Sequence, residues 1–241
     1  MKTVFLLVSA TLLLQAQEDR TISFSDDGRP RQLKVDLVNG RITVRGHAGK
    51  EAILQIQGQP PQTDRNGWIR AMRNVSVTEQ NNIVTISGGM QRDANIIVQV
   101  PYQTSLQLHC VNCGDIRVEN VQGDMDINNT NGGIRLTNVS GSVLAHSLNH
   151  NVVAIIDKLD ASKTHSFTTM NGTVDVTFPA DLKANVKMRT ENGKIHTDYD
   201  IRLGGGTIMR TDRGIAGSIG GGGPEIVFKS FNGSIYIRKK Q

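Results

Sequence analysis

From about residue 30 onward the chain is a succession of short runs in which apolar and polar residues alternate. That period of two is the signature of a strand with one buried face. Residues 33–37 and 41–45 read as one strand–turn–strand unit, and 52–57, 75–78, 83–87 and 95–100 as further strands. No segment after Ala16 keeps a helical period, so the pattern predicts an all-β chain.

From residue 110 the alternation becomes a repeat. Asn-Gly or a variant precedes each strand: Cys113-Gly114-Asp115-Ile116, Asn131-Gly132-Gly133-Ile134, Asn149-His150-Asn151-Val152, Asn171-Gly172-Thr173-Val174, Asn192-Gly193-Lys194-Ile195 and Asn232-Gly233-Ser234-Ile235. Asn39-Gly40 is an earlier copy and Arg213-Gly214-Ile215 a degenerate one. From Gly114 the steps are 18, 18, 22, 21, 21 and 19 residues. Aligned on the second residue, one apolar column holds Ile116, Ile134, Val152, Val174, Ile195 and Ile235. Another holds Val118, Leu136, Ala154, Val176, Thr197 and Ile237, and a third His109, Ile127, Ala145, Phe167, Met188 and Phe228. A fixed period of this size marks stacked coils, in which like residues lie above like at ~4.8 Å. Asn and Gly both tolerate positive φ and are expected to supply the turn. Asn-Gly is also a hairpin signal, which leaves an antiparallel sandwich or barrel as the rival architecture.

Composition agrees with thin coils. Aromatic residues are only 4%, too few for the core of an ordinary sandwich, while 25 glycines serve turns. The Gly-rich runs 204–206 and 220–223 read as wide turns, because no helix follows to make a phosphate cradle. The terminal Arg238-Lys239-Lys240 reads as charge protecting an open sheet edge. Gln59-Pro60-Pro61-Gln62 starts an insertion that reaches past Trp68. The formal charge of +5 is scattered, which points to solvated strand faces and away from nucleic acid.

Met1-Lys2-Thr3, an apolar run over 4–14 and a small Ala16 before charged residues have the layout of a secretory signal peptide. The mature chain is expected outside the cytoplasm: in the periplasm, on the cell surface or secreted.

Candidate chemistry is sparse. Cys110 and Cys113 flank a turn in an exported chain; a disulfide, free thiols and a redox or metal role all stay open. His146 and His150 are four apart but on strand and turn, so the helical zinc pattern fails. His109 falls in an inward column as a core histidine. Asp124, Asp126 and Asn128 begin like a calcium loop and lie on one outer face, a weak surface cation site at most. Asn129 at the sixth position and Arg135 at the twelfth break the EF-hand pattern. Asp115, Asp175 and Asp198 fall on different coils or columns and do not pair as glycoside hydrolysis requires. No Gly-x-Ser-x-Gly occurs. No catalytic, cofactor-binding or metal site is expected, and the chain reads as no enzyme.

The Asn-Gly-x-Ile repeats resemble those of the bacterial DUF4097 family of adhesin-like β-repeat proteins, relatives of the head GIN domain proteins. Phe178-Pro179-Ala180-Asp181-Leu182-Lys183-Ala184 and the stretch 219–225 before Asn232-Gly233-Ser234-Ile235 share that resemblance. Cys113-Gly114 and Asn149-His150 depart from the pattern. The resemblance implies a right-handed, single-stranded parallel β-helix outside the cytoplasm and brings no catalytic residues.

The expected protein is therefore an all-β single-stranded parallel β-helix, or β-solenoid, with coils of about 20 residues. Residues 1–16 are the signal peptide, 17–105 an irregular β region capping the solenoid, and 106–241 the repeats, continuous with that cap. The expected role is a non-catalytic extracytoplasmic adhesin or cell-envelope module, with a surface polysaccharide or another envelope protein as partner and no cofactor. The alternative is a polysaccharide lyase or hydrolase on the same scaffold.

Overall fold

The computed structural model describes residues 19–26, 28–57, 75–88, 94–203 and 214–241. The expected signal peptide, the insertion that starts at Gln59 and reaches past Trp68, and the glycines 204–206 lie outside them. Among the described residues the secondary structure is all strand. The first nine are β1 (Asp19–Ile22), β2 (Arg31–His47), β3 (Ala52–Gln57), β4 (Val75–Gln80), β5 (Ile83–Gly88), β6 (Ala94–Pro101), β7 (Thr104–Glu119), β8 (Met125–Asn129) and β9 (Ile134–Gly141). The rest are β10 (Val143–Ser147), β11 (Val152–Leu159), β12 (His165–Thr169), β13 (Val174–Phe178), β14 (Ala184–Thr190), β15 (Ile195–Thr197), β16 (Ile215–Ile219), β17 (Glu225–Ser230) and β18 (Ile235–Lys239).

These strands make one curled sheet dominated by two parallel ladders. The first runs β5, the start of β2, the start of β7, β8, β10, β12, β17, β14. The second runs β6, the end of β2, the end of β7, β9, β11, β13, β18, β15. Parallel pairing of like columns excludes the hairpin meander. The long strands β2 and β7 bend from one ladder into the other, so each supplies a whole rung by itself.

Alternation puts the apolar columns inside, as the repeat predicts. Ile42, Ile116, Ile134, Val152, Val174 and Ile235 pair in register down the second ladder and are fully or almost fully buried. The column below them ends differently: Thr197 on β15 is exposed, since it lies on the last rung of the stack. Facing them across the interior, Val35, Leu108, Ile127, Ala145, Phe167, Phe228 and Met188 form the central column of the first ladder. The interior is narrow and aliphatic except where three rings meet. Phe167 and Phe228 stack at 5.7 Å, and Phe178 stands edge-on to both at 6.1 and 6.2 Å.

The order of rungs departs from the order of the chain at both ends. The rung of β17 and β18, last in sequence, lies between β12–β13 and β14–β15. At the opposite end β5 and β6 lie outside β2, which precedes them. The charged residues 238–240 therefore end an inner rung of the stack and not its last one: β18 pairs with β13 through Lys239 and with β15 over Ile235–Ile237. The outermost rungs are flanked by antiparallel strands instead. β16 lies on β14; β4 lies on β5; β3 lies on β6 with β1 beyond it. Ile215, expected to open a degenerate repeat, belongs to antiparallel β16 and is not a rung.

The glycine run after β16 turns the chain around the end of β14 so that β17 emerges on that strand's other side. Gly220, Gly221 and Gly222 all have positive φ, which three consecutive residues with side chains would adopt only under strain. A second tight turn joins β4 to β5 through Asn81 and Asn82, both left-handed (φ 54° and 64°), the conformation two-residue hairpins require.

The repeated Asn-Gly turns do not use that conformation. None of Asn131, Gly132, Asn171, Gly172, Asn192, Gly193, Asn232 and Gly233 has positive φ; of the Asn-Gly glycines among the described residues, Gly40 alone does. The glycines are needed for space. A Cβ on Gly233 would lie 2.0 Å from the carbonyl oxygen of Gly172, and one on Gly193 would lie 2.1 Å from that of Gly233. At Gly132, Gly172, Gly193 and Gly233 the turn beneath lies too close to admit a methyl group, whereas the turn at Asn149-His150 takes a side chain in the same position.

Candidate functional site

Each turn of the main repeat presents one inward polar residue and two outward residues, and each of these positions becomes a row down the stack. The inward row is Cys110, Asn129, Ser147, Thr169, Ser230 and Thr190, paired in register. These side chains donate to turn carbonyls of the neighbouring rung. Asn129 Nδ2 reaches Gly114 O at 3.0 Å, Ser147 Oγ reaches Gly132 O at 3.0 Å, and Thr169 Oγ1 reaches His150 O at 2.8 Å. Ser230 Oγ reaches Gly172 O at 2.9 Å and Thr190 Oγ1 reaches Gly233 O at 2.7 Å. A hydroxyl that satisfies an otherwise orphaned carbonyl locks one turn on the next. Sequence reasoning passed over this row. Its signal was present as a small polar residue five places before each column isoleucine or valine.

Cys110 opens that row without a hydroxyl. Cys113 lies close to it, with the Cα atoms 5.7 Å apart, and both residues are buried. The turn between Cys110 and Ile116 is one residue longer than its counterparts, and the β2–β7 register shifts there. That extra residue overturns the reading of His109. Leu108, not His109, occupies the inward column. His109 points outward, half exposed, with Nδ1 3.2 Å from Asp36 Oδ1. The buried histidine is His165, at 0% exposure and unremarked in the sequence. Val143 N donates to its Nδ1 at 3.3 Å, and Nε2 lies 2.9 Å from Asp160 O, so the ring is held as the neutral Nε2–H form. Desolvation lowers its pKa below the ordinary histidine value, partly opposed by the hydrogen bond to Asp160 O.

The outward rows lie at the corner between the ladders. Their most regular member is a chain of asparagine amides. Nδ2 of Asn131 donates to Oδ1 of Asn112 at 2.6 Å, Asn149 to Asn131 at 2.7 Å, and Asn171 to Asn149 at 3.0 Å. Asn232 donates to Asn171 at 2.8 Å, and Asn192 to Asn232 at 2.9 Å. The chain follows the spatial order of rungs, Asn232 before Asn192. The asparagines expected to act as turn formers thus act through their side chains. Immediately beside this row stand Leu148, Met170 and Phe231, the last two 46% and 48% exposed.

Outward charges on the ladders are mostly matched. Arg238 makes two bonds to Asp175, at 2.7 and 2.9 Å, Arg45 meets Glu119 at 3.1 Å, and Lys187 and Lys240 meet Glu225 and Asp157. Exposed pairs of this kind add little stability. The acids singled out in the sequence are dispersed and occupied. Asp115 faces Arg117 at 3.7 Å, Asp175 is held by Arg238, and Asp198 accepts Lys239 N at 3.1 Å. Asp124 takes Lys163 Nζ at 2.6 Å, and Asn128 Nδ2 donates to Asp126 Oδ1 at 2.8 Å. His146 Nδ1 lies 2.8 Å from Thr168 Oγ1. Among the described residues no three of His, Cys, Asp and Glu gather as metal ligands. Tyr199 donates to the carbonyls of Phe178 and Pro179 at 3.0 and 2.7 Å. Its pKa is pushed up to about 12, chiefly by burial. Depressions on the outer surface are open; one of about 640 Å³ is bordered by Gln107, Asp126 and Leu144. No helix among the described residues is long and apolar enough to cross a membrane.

Parallel rungs with regular side-chain rows outside and a thin aliphatic interior define an all-β repeat protein. The chain belongs to the DUF4097 family, the Toastrack proteins, which matches residues 104–238. No curated protein matches it. Among solved structures it is similar to a candidate cell adhesion protein from Clostridium sporogenes, at 10% identity and TM-score 0.45, covering 93% of this chain and 100% of that one. It is also similar to a candidate adhesin from Bacteroides fragilis, at 14% identity and TM-score 0.35, covering 94% and 98%. A third, from Parabacteroides merdae, has 8% identity and TM-score 0.29, covering 95% and 98%.

Proposed function

We propose that this protein is a non-catalytic, extracytoplasmic adhesive or structural module whose outer rows contact a surface polysaccharide or another envelope protein. One observation carries the reading. The regular features of the outside are extended rows of uncharged and paired side chains, one residue per rung, and among the described residues no acid–base pair converges on a cleft. Rows of this kind suit a multivalent, polymer-like contact, whereas catalysis needs convergent groups in a concave site.

The same proposal takes the two ladders as the sides of a right-handed single-stranded β-helix with coils of about 20 residues. Residues 1–16 are a signal peptide, and 17–105 are a β region continuous with the repeats of 106–241. In the oxidising compartment that export implies, Cys110 and Cys113 are bonded.

The experiment is whole-cell and envelope-extract binding by the mature chain, beside a turnover panel of glycans and esters. Saturable binding without turnover is expected. Turnover abolished by a single substitution would establish the carbohydrate-active enzyme instead. N-terminal sequencing of exported protein is expected to begin at Gln17.

A further inference from the structure

The corner that carries the asparagine chain has a chemistry of its own. Each primary amide has two N–H donors and two acceptor lone pairs. The chain from Asn112 to Asn192 uses one donor and one acceptor at each interior member. A second N–H and a second lone pair remain on every exposed amide, repeated at the rung spacing of ~4.8 Å. Directly alongside, Leu148, Met170 and Phe231 make an apolar row on three consecutive rungs. Met170 and Phe231 are the two most exposed large hydrophobic side chains among the described residues. Single exposed apolar residues mean little, but neighbours on adjacent rungs make a continuous strip.

The strip also limits its occupant. Residues 111–112, 130–131, 148–149, 170–171 and 231–232 include no charged side chain; the last rung adds Glu191, held by Arg189 at 2.6 Å, and the cation nearest Phe231 along the chain is the single exposed Lys229, too sparse a charge for a polyanion or nucleic acid. An added peptide strand has no backbone edge to pair with, because turn N–H groups already bond rung to rung. Asn131 N donates to Val111 O at 2.9 Å, Asn171 N to Leu148 O at 2.8 Å and Asn232 N to Met170 O at 2.8 Å. What fits is a partner with one apolar face and dense hydroxyls along its edge, extended and repeating at the scale of a rung.

We infer that this corner is a docking strip for an extended neutral glycan, with pyranose C–H faces on Phe231 and Met170 and hydroxyls on the amides of Asn149, Asn171 and Asn232. The inference rests on the adhesive reading above and names its ligand class and its residues. An aromatic face supplies stacking area and the amides fix orientation, the division of labour usual in sugar-like sites.

The test is affinity electrophoresis and calorimetry of the mature chain with cellohexaose and soluble xylan, against polygalacturonate and heparin, with whole-cell binding run in parallel. Neutral glycans are expected to bind. The Met170→Ser, Phe231→Ser double variant is expected to lose at least about tenfold in affinity, or roughly 1.4 kcal/mol. Its unfolding midpoint should stay near that of the parent, because both side chains are half exposed. Asn171→Ala, which removes one set of amide contacts, should weaken binding without the double variant. If the protein binds cells but no neutral glycan, the strip is not a glycan site and the adhesive reading survives. If it binds neither, both fall. Binding to the anionic polymers that is lost in Arg135→Ala and retained in the double variant would place the contact on the arginine face and overturn the inference.

Discussion

Gly233→Ala tests whether stacking distance or backbone conformation dictates the glycine of each Asn-Gly turn. The added methyl would lie 2.0 Å from Gly172 O and 2.5 Å from its carbonyl carbon. Carbon–oxygen contacts in proteins settle near 3.3 Å or beyond, so the two turns would have to part by roughly an ångström. Overpacking of that order costs about 1–3 kcal/mol. The same displacement stretches the 2.9 Å bond from Ser230 Oγ to Gly172 O, whose loss adds about 1 kcal/mol. The expected destabilisation is about 2–4 kcal/mol, read as a lower urea midpoint at unchanged slope. Gly233→Asn is the discriminating partner. Asparagine tolerates positive φ but still carries a Cβ, so it should be at least as damaging as alanine. Gly221 is the control. It has φ +92° and open space around it, so there alanine should cost about 1–2 kcal/mol and asparagine less. Recovery of parental stability in Gly233→Asn would refute the stacking argument.

Three further outcomes follow from the packing. Phe228→Ala removes the ring that stacks on Phe167 and meets Phe178, and should cost about 3–5 kcal/mol in chemical denaturation. Stability should fall with acid through His165. Its folded pKa lies below its unfolded value, so the unfolded chain binds the proton first. The contribution is complete above about pH 6.5 and is lost as pH drops toward the lowered folded pKa. Urea midpoints between pH 8 and 5 should lose that slope in His165→Leu. Asn149→Asp leaves an acceptor able to take the bond from Asn171 but unable to donate to Asn131. It should cost about 1 kcal/mol at neutral pH, checked by thermal unfolding.

The makeup of a rung is written in the order of the residues. Alternation decides which side chains face inward, and a period near twenty residues makes those positions coincide from one rung to the next. That is why Ile116, Ile134, Val152, Val174 and Ile235 could be assigned to one column before any coordinates. The sequence also excluded helices, and it dispersed the acids that a glycosidase would need to gather. It could not determine the order of the rungs. Every rung offers its neighbours nearly the same aliphatic columns, so the local pattern fits many stackings equally well. The choice falls to particular contacts, such as Phe228 between Phe167 and Met188, and to the glycine turn that carries β17 past β14. The same limit applies at single residues. One extra residue in the Cys110–Ile116 turn sends His109 to solvent, and alignment on the turn glycine cannot reveal it. His165, by contrast, stands two places before inward Phe167 and is buried as alternation places it. The amide chain on the corner exists only once residues 18 to 61 positions apart are brought into register, a distance over which sequence pattern carries no geometry.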